Sequence, residues 1–169
     1  MSILAPNNFT TGRWLIPQGV NDSANLQQYI DRVENYYLPR LFGKVLYDLF
    51  IADAGGGTPA IPRFQFVYDP FTTQETSCDF NQSLGIVDMI KGFVYFEYVR
   101  DNITRLTTVG PKRTDSANSQ NASGIQHDIT SRYNESIRTY KAIQYYMDNT
   151  NSADYPEYEG IFLRFNHTF

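Results

Sequence analysis

Ser83-Leu-Gly-Ile-Val-Asp-Met-Ile-Lys-Gly-Phe-Val-Tyr-Phe-Glu-Tyr-Val-Arg-Asp-Asn-Ile-Thr104 decides the fold. Ile86, Met89, Ile90, Phe93, Phe96 and Ile103 recur at helical spacing, which predicts a helix from about Ser83 to about Thr104 with those residues on its core side. Val94, Tyr95, Tyr98 and Val99 fill the other faces, so this helix is central and covered on several sides.

Working outward, the chain supplies the covering helices. Leu26, Ile30, Val33 and Tyr37 keep the same period after Asp22, a plausible N-cap, and Pro39 ends that helix or starts the next. Leu41, Phe42, Val45, Leu46, Leu49 and Phe50 continue the period until Gly55-Gly-Gly57 closes it. On the other side, Ser123 and Gln126 form a capping-box signature. Ile129, Tyr133, Ile137, Tyr140, Ile143 and Met147 then carry an apolar stripe to about Met147 or Asp148. Between helices, residues 61–80 alternate Phe64, Phe66 and Tyr68 with Gln65, Val67 and Asp69 before an Asp69-Pro70 turn, which reads as an inserted β-hairpin. Residues 105–124 read as a flexible loop, because Gly110 to Gly124 contains no large apolar residue.

The expected fold is therefore mainly α: an antiparallel bundle of about four helices over residues 22–154, with an inserted hairpin and extended N- and C-terminal arms. Residues 1–21, broken by Pro6, Gly12, Pro17 and Gly19, form an extended arm whose strong anchor is Trp14. Residues 155–169 form an aromatic tail. If that tail is extended, Ile161, Leu163, Phe165 and Phe169 share one face and Phe162, Arg164, Asn166 and Thr168 the other. A strand donated to a neighbour's sheet edge has this pattern, and so does a tail folded back over its own domain.

Composition narrows function. At 169 residues the chain is most simply one domain, and its 13 Tyr and 12 Phe suit surfaces buried in assembly as well as a core. A net charge of −4 without a Lys/Arg cluster argues against tight nucleic-acid wrapping. The lone Cys78 excludes an internal disulfide framework, and no apolar run is long enough for a signal peptide or a membrane span, so intracellular folding is expected. Catalytic signals are thin. His127 and His167 have no Glu three residues before them, so the ligand pair of di-iron bundles is missing, and no His-Glu-x-x-His helix occurs. Gly55-Gly-Gly57 follows a helix and lacks the Gly-Lys-Ser/Thr of a phosphate loop. No catalytic, cofactor or metal site is expected. What remains is a set of protruding segments, and a ring or filament gives them partners.

Three stretches carry a family resemblance. Residues 29–50, Tyr29-Ile-Asp-Arg-Val-Glu-Asn-Tyr-Tyr-Leu-Pro-Arg-Leu-Phe-Gly-Lys-Val-Leu-Tyr-Asp-Leu-Phe50, resemble the paired opening helices of head-tail connector, or adaptor, proteins of tailed bacteriophages, including those of Bacteroidales and crAss-like phages. Lys91 to Asp101 resembles their central helix, and Tyr155-Pro-Glu-Tyr158 with Arg164-Phe-Asn166 resembles their tail. The resemblance implies a virion ring, a dodecamer matched to the portal, that connects head to tail and lets DNA pass without specific binding. Its partners would be the portal protein, tail or further ring proteins and its own copies, with no cofactor and no membrane. Twelve copies would carry about −48, a lumen that repels phosphate. On this reading Tyr155, Tyr158, Phe162, Leu163, Arg164, Phe165 and Phe169 bind the portal or an adjoining subunit, and Trp14, Phe64, Phe66 and Tyr68 meet a neighbouring copy. A cytoplasmic interaction module without a virion role is the alternative.

Overall fold

The computed structural model describes residues 2–16, 23–74, 80–107, 110–113 and 122–161, with the backbone alone for 102–107, 110–113 and 122–128. Helix α1 (Ser23–Phe42) turns at Gly43 into α2 (Lys44–Ala54), and α3 (Pro62–Tyr68) leads to a hairpin of β1 (Phe71–Gln74) and β2 (Phe80–Ser83). The central α4 (Gly85–Ile103) follows, then a second hairpin of β3 (Thr104–Thr107) and β4 (Gly110–Arg113), and finally α5 (Ala122–Tyr145). The fold is a helical bundle with an inserted hairpin, as the periodicity implies.

Helix α4 is the core. Ile86, Met89, Ile90, Phe93, Val94, Phe96 and Tyr98 are all buried, with α5 and α1 as its main neighbours. The ring of Tyr37 on α1 stacks on Phe93 at 3.9 Å, and Tyr133 on α5 packs against Phe93 and Phe96. The α4–α5 crossing is close because residue 92 is glycine. A Cβ there would lie 1.9 Å from Ser136 Oγ, well inside van der Waals contact.

Several boundaries differ from the sequence reading. Pro39 lies inside α1 rather than at its end. It sits in the last turn, where Gly43 N–H still bonds the Pro39 carbonyl at 3.0 Å, so little of the helix is lost to the missing donor. Gly43 makes the α1–α2 corner instead, at φ +79°, where a side chain would be strained. On α2 the apolar period is split: Leu46 and Phe50 are buried, Val45 and Leu49 exposed. Gly55 does close this helix, in the left-handed conformation.

The hairpin lies later than residues 61–80 placed it. Residues 62–68 are helical, because Pro62 is preset for a first helical turn and Asp69, before Pro70, is forced into extended backbone that stops it. Helical period then buries Phe64 and Val67 on one side, where alternation would have grouped Phe64 with Phe66 and Tyr68. The loop reading of 105–124 is corrected at its start, since residues 104–107 and 110–113 pair as antiparallel strands. The final long helix begins at Ala122, one residue before the expected cap. Asp22, Cys78 and His167 lie outside the described residues, as does the side chain of His127.

The described part of the opening arm, residues 2–16, is not α-helical, but it does not protrude. Short 3₁₀ turns at Pro6–Phe9 and Gly12–Trp14 wrap it onto the bundle and bury Leu4, Phe9, Trp14 and Ile16. Glu34 on α1 accepts hydrogen bonds from Ile3 N–H and Leu4 N–H, fastening the arm's start. Trp14 Nε1 donates to Asp88 on α4 at 2.9 Å. Trp14 is thus a core residue of its own copy, which corrects its assignment to a subunit contact.

Candidate docking surface

After α5 the chain makes a π turn at Tyr146–Thr150, and the next stretch is strapped to its own bundle. Tyr155, 2% exposed, sends its hydroxyl to the Arg63 carbonyl of α3. Arg63 Nη1 in return donates to the Asp154 carbonyl at 2.7 Å and pairs with Glu157 at 3.1 Å. Farther on, Glu159 N–H bonds the Phe42 carbonyl at 3.3 Å and Ile161 N–H bonds the Arg40 carbonyl at 2.6 Å. Two α5 side chains then converge on the Ile161 carbonyl, Tyr140 Oη at 2.9 Å and Gln144 Nε2 at 3.1 Å. Burial pushes the Tyr158 hydroxyl up to about 12. Burial raises Tyr155 and Tyr140 as well, so all three stay neutral; Tyr155 and Tyr140 donate to carbonyls, whereas Tyr158 packs half-buried against the core.

Tyr155 and Tyr158 therefore hold the tail to its own domain, a correction to their role as partner-binding residues. Of the two arrangements the alternation allowed, residues 155–161 take the folded-back one. Phe162, Leu163, Arg164, Phe165 and Phe169 lie outside the described residues. Of the four residues assigned to a neighbouring copy, Trp14 and Phe64 are buried and Tyr68 packs half-buried against the core. Phe66 alone stays exposed.

Phe66 belongs to an aromatic shelf that the sequence showed only in fragments. Its ring stacks on Tyr146 at 4.5 Å and sits 5.0 Å from Phe71, the first residue of β1. Beside it lies a shallow cavity of about 280 Å³ lined by Pro62, Gln65, Asp69 and Pro70 as well as the two Phe rings. On the other flank of the hairpin Phe80 is 67% exposed and shares a groove with Tyr145, Ala142, Arg138 and Lys141.

Phe80 points outward because its strand is inverted. Asn81 and Ser83 are the buried positions of β2, and both work as hydrogen-bonding posts. Asn81 Nδ2 donates to the Ala142 carbonyl at 2.9 Å, and Ser83 Oγ accepts from Gly85 N–H at 3.1 Å. Alternation then forces Phe80 and Gln82 to the outside. Polar residues at i and i+2 with an aromatic between turns were the available signal.

Among the described residues no group of three or more His, Cys, Asp or Glu could hold a metal ion. No described helix is long and apolar enough to cross a membrane. Charged pairs serve cohesion: Arg32 on α1 bonds Glu97 on α4 at 2.6 Å and lies over the Tyr29 ring. Comparison with protein-family models, with curated proteins and with solved structures finds no match to this chain.

Proposed function

We propose that the chain is a structural adaptor of a tailed-phage particle, whose copies ring the portal vertex, join head to tail and leave a path for DNA. The observation that carries this reading is a set of apolar surfaces on different elements: Val45 and Leu49 on α2, Phe66 on one flank of the first hairpin, and Phe80 with Tyr145 on its other flank. A ring closes by pairing two unlike patches head to tail, copy after copy. Single exposed apolar residues need no explanation, but an aromatic group with a cavity beside it is a surface that assembly would cover. The resemblance of the opening helices, the central helix and the tail to head-tail connectors supplies the place of the ring and the portal as its partner. The reading includes no catalytic step and no cofactor.

A second reading, an interaction module that works as a monomer outside any virion, is favoured by one observation. Trp14 and Tyr155 are satisfied within their own bundle and await no partner. Electron microscopy and light scattering of the protein, alone and mixed with the portal protein of the same genome, separate the two. Rings seated on the portal are expected. A monomer that stays a monomer with portal present refutes the adaptor and leaves the module.

A further inference from the structure

We infer that residues 162–169 of one copy add to the outer edge of β1 in the next copy, with a tail Phe seated on the Phe66–Phe71 shelf. The inference rests on the ring reading above and names the contact that closes the ring.

The acceptor is a half-used sheet. β2 lies against α5, fixed there by Asn81 on the Ala142 carbonyl and by Leu84 N–H on Thr139 Oγ1. β1 pairs with β2 on one side, and among the described residues no backbone group bonds its other side. Such an edge presents alternate N–H and C=O groups to any extended chain. At its start lie the shelf and the exposed Asp69.

The donor fits in pattern and charge. Residues 161–169 contain no Pro and no Gly, and Ile161, Leu163 and Phe165 alternate with Phe162, Arg164 and Asn166. Backbone pairing gives such a strand its affinity and alternate side chains its specificity. Phe rings offset-stack on other rings, and Arg164 is the opposite charge to Asp69.

The course of the strap favours a second copy over the same one. Tyr155 lies 6.1 Å from Tyr146, so the strap starts beside its own shelf and runs away from it to Arg40, Tyr140 and Gln144. A return to that shelf would run back along the strap, and 162–165 contain no Gly, Pro, Asn, Asp or Ser to make a tight turn. Continued forward, these eight residues reach roughly 26–29 Å, enough to cross to a neighbour.

The test uses full-length protein with Cys78→Ser, so that introduced cysteines are the only ones. Thr72→Cys on β1 is combined in turn with Leu163→Cys, Arg164→Cys and Asn166→Cys, since paired strands bring Cβ atoms within disulfide range. Copies labelled with ¹⁴N and ¹⁵N are mixed before assembly, oxidised and read by mass spectrometry. Mixed-label disulfides at one register, with a ladder of multimers on a non-reducing gel, are expected. Disulfides only within one chain, or none at any register, overturn the inference. Light scattering on the same samples keeps the two claims apart. Rings that form without the disulfide remove strand addition and leave the adaptor, whereas cross-linked rings that never seat on a portal do the reverse. Separately, Asp69→Arg should weaken association about fivefold and Arg164→Asp in the same chain should restore it. Failure of the swap to restore it removes this ion pair from the contact.

Discussion

Replacing Gly160 with Ala should open the strap without melting the bundle. The new Cβ would lie 2.3 Å from the Leu41 carbonyl oxygen and 2.5 Å from the Tyr158 ring. The oxygen belongs to α1 and cannot withdraw, so residues 159–161 must lift. Lifting breaks Glu159 N–H to Phe42, Ile161 N–H to Arg40, and the bonds of Tyr140 and Gln144 to the Ile161 carbonyl. At about 1 kcal/mol each, partly replaced by water, the loss is about 2–4 kcal/mol. That is a roughly 30- to 700-fold rise in local opening. Native-state hydrogen exchange reads it directly at the Glu159 and Ile161 amides, while α4 amides keep their protection because Tyr155 and Arg63 hold the chain upstream. Exchange at both amides within threefold of the wild type would refute the reasoning and show that the strap is held elsewhere.

Gly92→Ala should cost about 2–3 kcal/mol by overpacking at Ser136, and Ser136→Ala in the same chain should recover part of it, because the Oγ at 1.9 Å goes while Trp14 Cη2 at 3.1 Å and the residue 136 Cβ at 3.3 Å stay; paired urea melts measure both. Glu34 has its carboxyl pKa raised by burial, against the Ile3 and Leu4 N–H bonds that favour its charge. Its folded value exceeds its unfolded value, so its stabilisation is fullest below the unfolded pKa and is lost as pH rises through the folded one. The stability difference between wild type and Glu34→Gln should therefore shrink from pH 4 to pH 7, and a rising difference would contradict the sign. Truncation after Ile161 should leave the melting temperature within about 2 °C and abolish rings, whereas truncation after Asn151 should destabilise by about 3 kcal/mol or more, since it removes buried Tyr155 and the whole strap.

The helices were legible because their burial is periodic. Ile86, Met89, Ile90 and Phe93 face the core as spacing requires, and α4, buried nearly all round, needed only its apolar faces to be recognised as central. Residues 62–68 misled because Phe64, Phe66 and Tyr68 satisfy a period of two while Pro62 and Asp69-Pro70 bracket a helix. Over seven residues the brackets carry more weight than the alternation. Trp14 misled in another way. Pro6 and Gly12 signal the lack of an α-helix, not the lack of a resting place, and only Asp88, 74 positions later, shows where the indole goes. The strap was hidden for the same reason: its partners Arg40, Phe42, Arg63 and Tyr140 are distant in sequence, and Gly160 is needed for what it touches.

On the proposed reading the cut between core and docking segment therefore falls inside the aromatic tail, not at its start. Up to Ile161 each polar backbone group described above is paired with the chain's own helices, and a partner that captured those residues would first have to break the bonds. The described strap ends at Ile161, just before the residues 162–169 proposed above to add to the next copy. The strap also fixes the point from which they leave, and a tether anchored within reach of its target raises the effective concentration of the second contact. A β1 edge left unbonded among the described residues would be an aggregation hazard in a free monomer, which its four-residue length limits. Filling it with a tethered strand from the next copy, as proposed, would turn the same hazard into a directional contact, and strand addition of this kind would propagate one way around a ring.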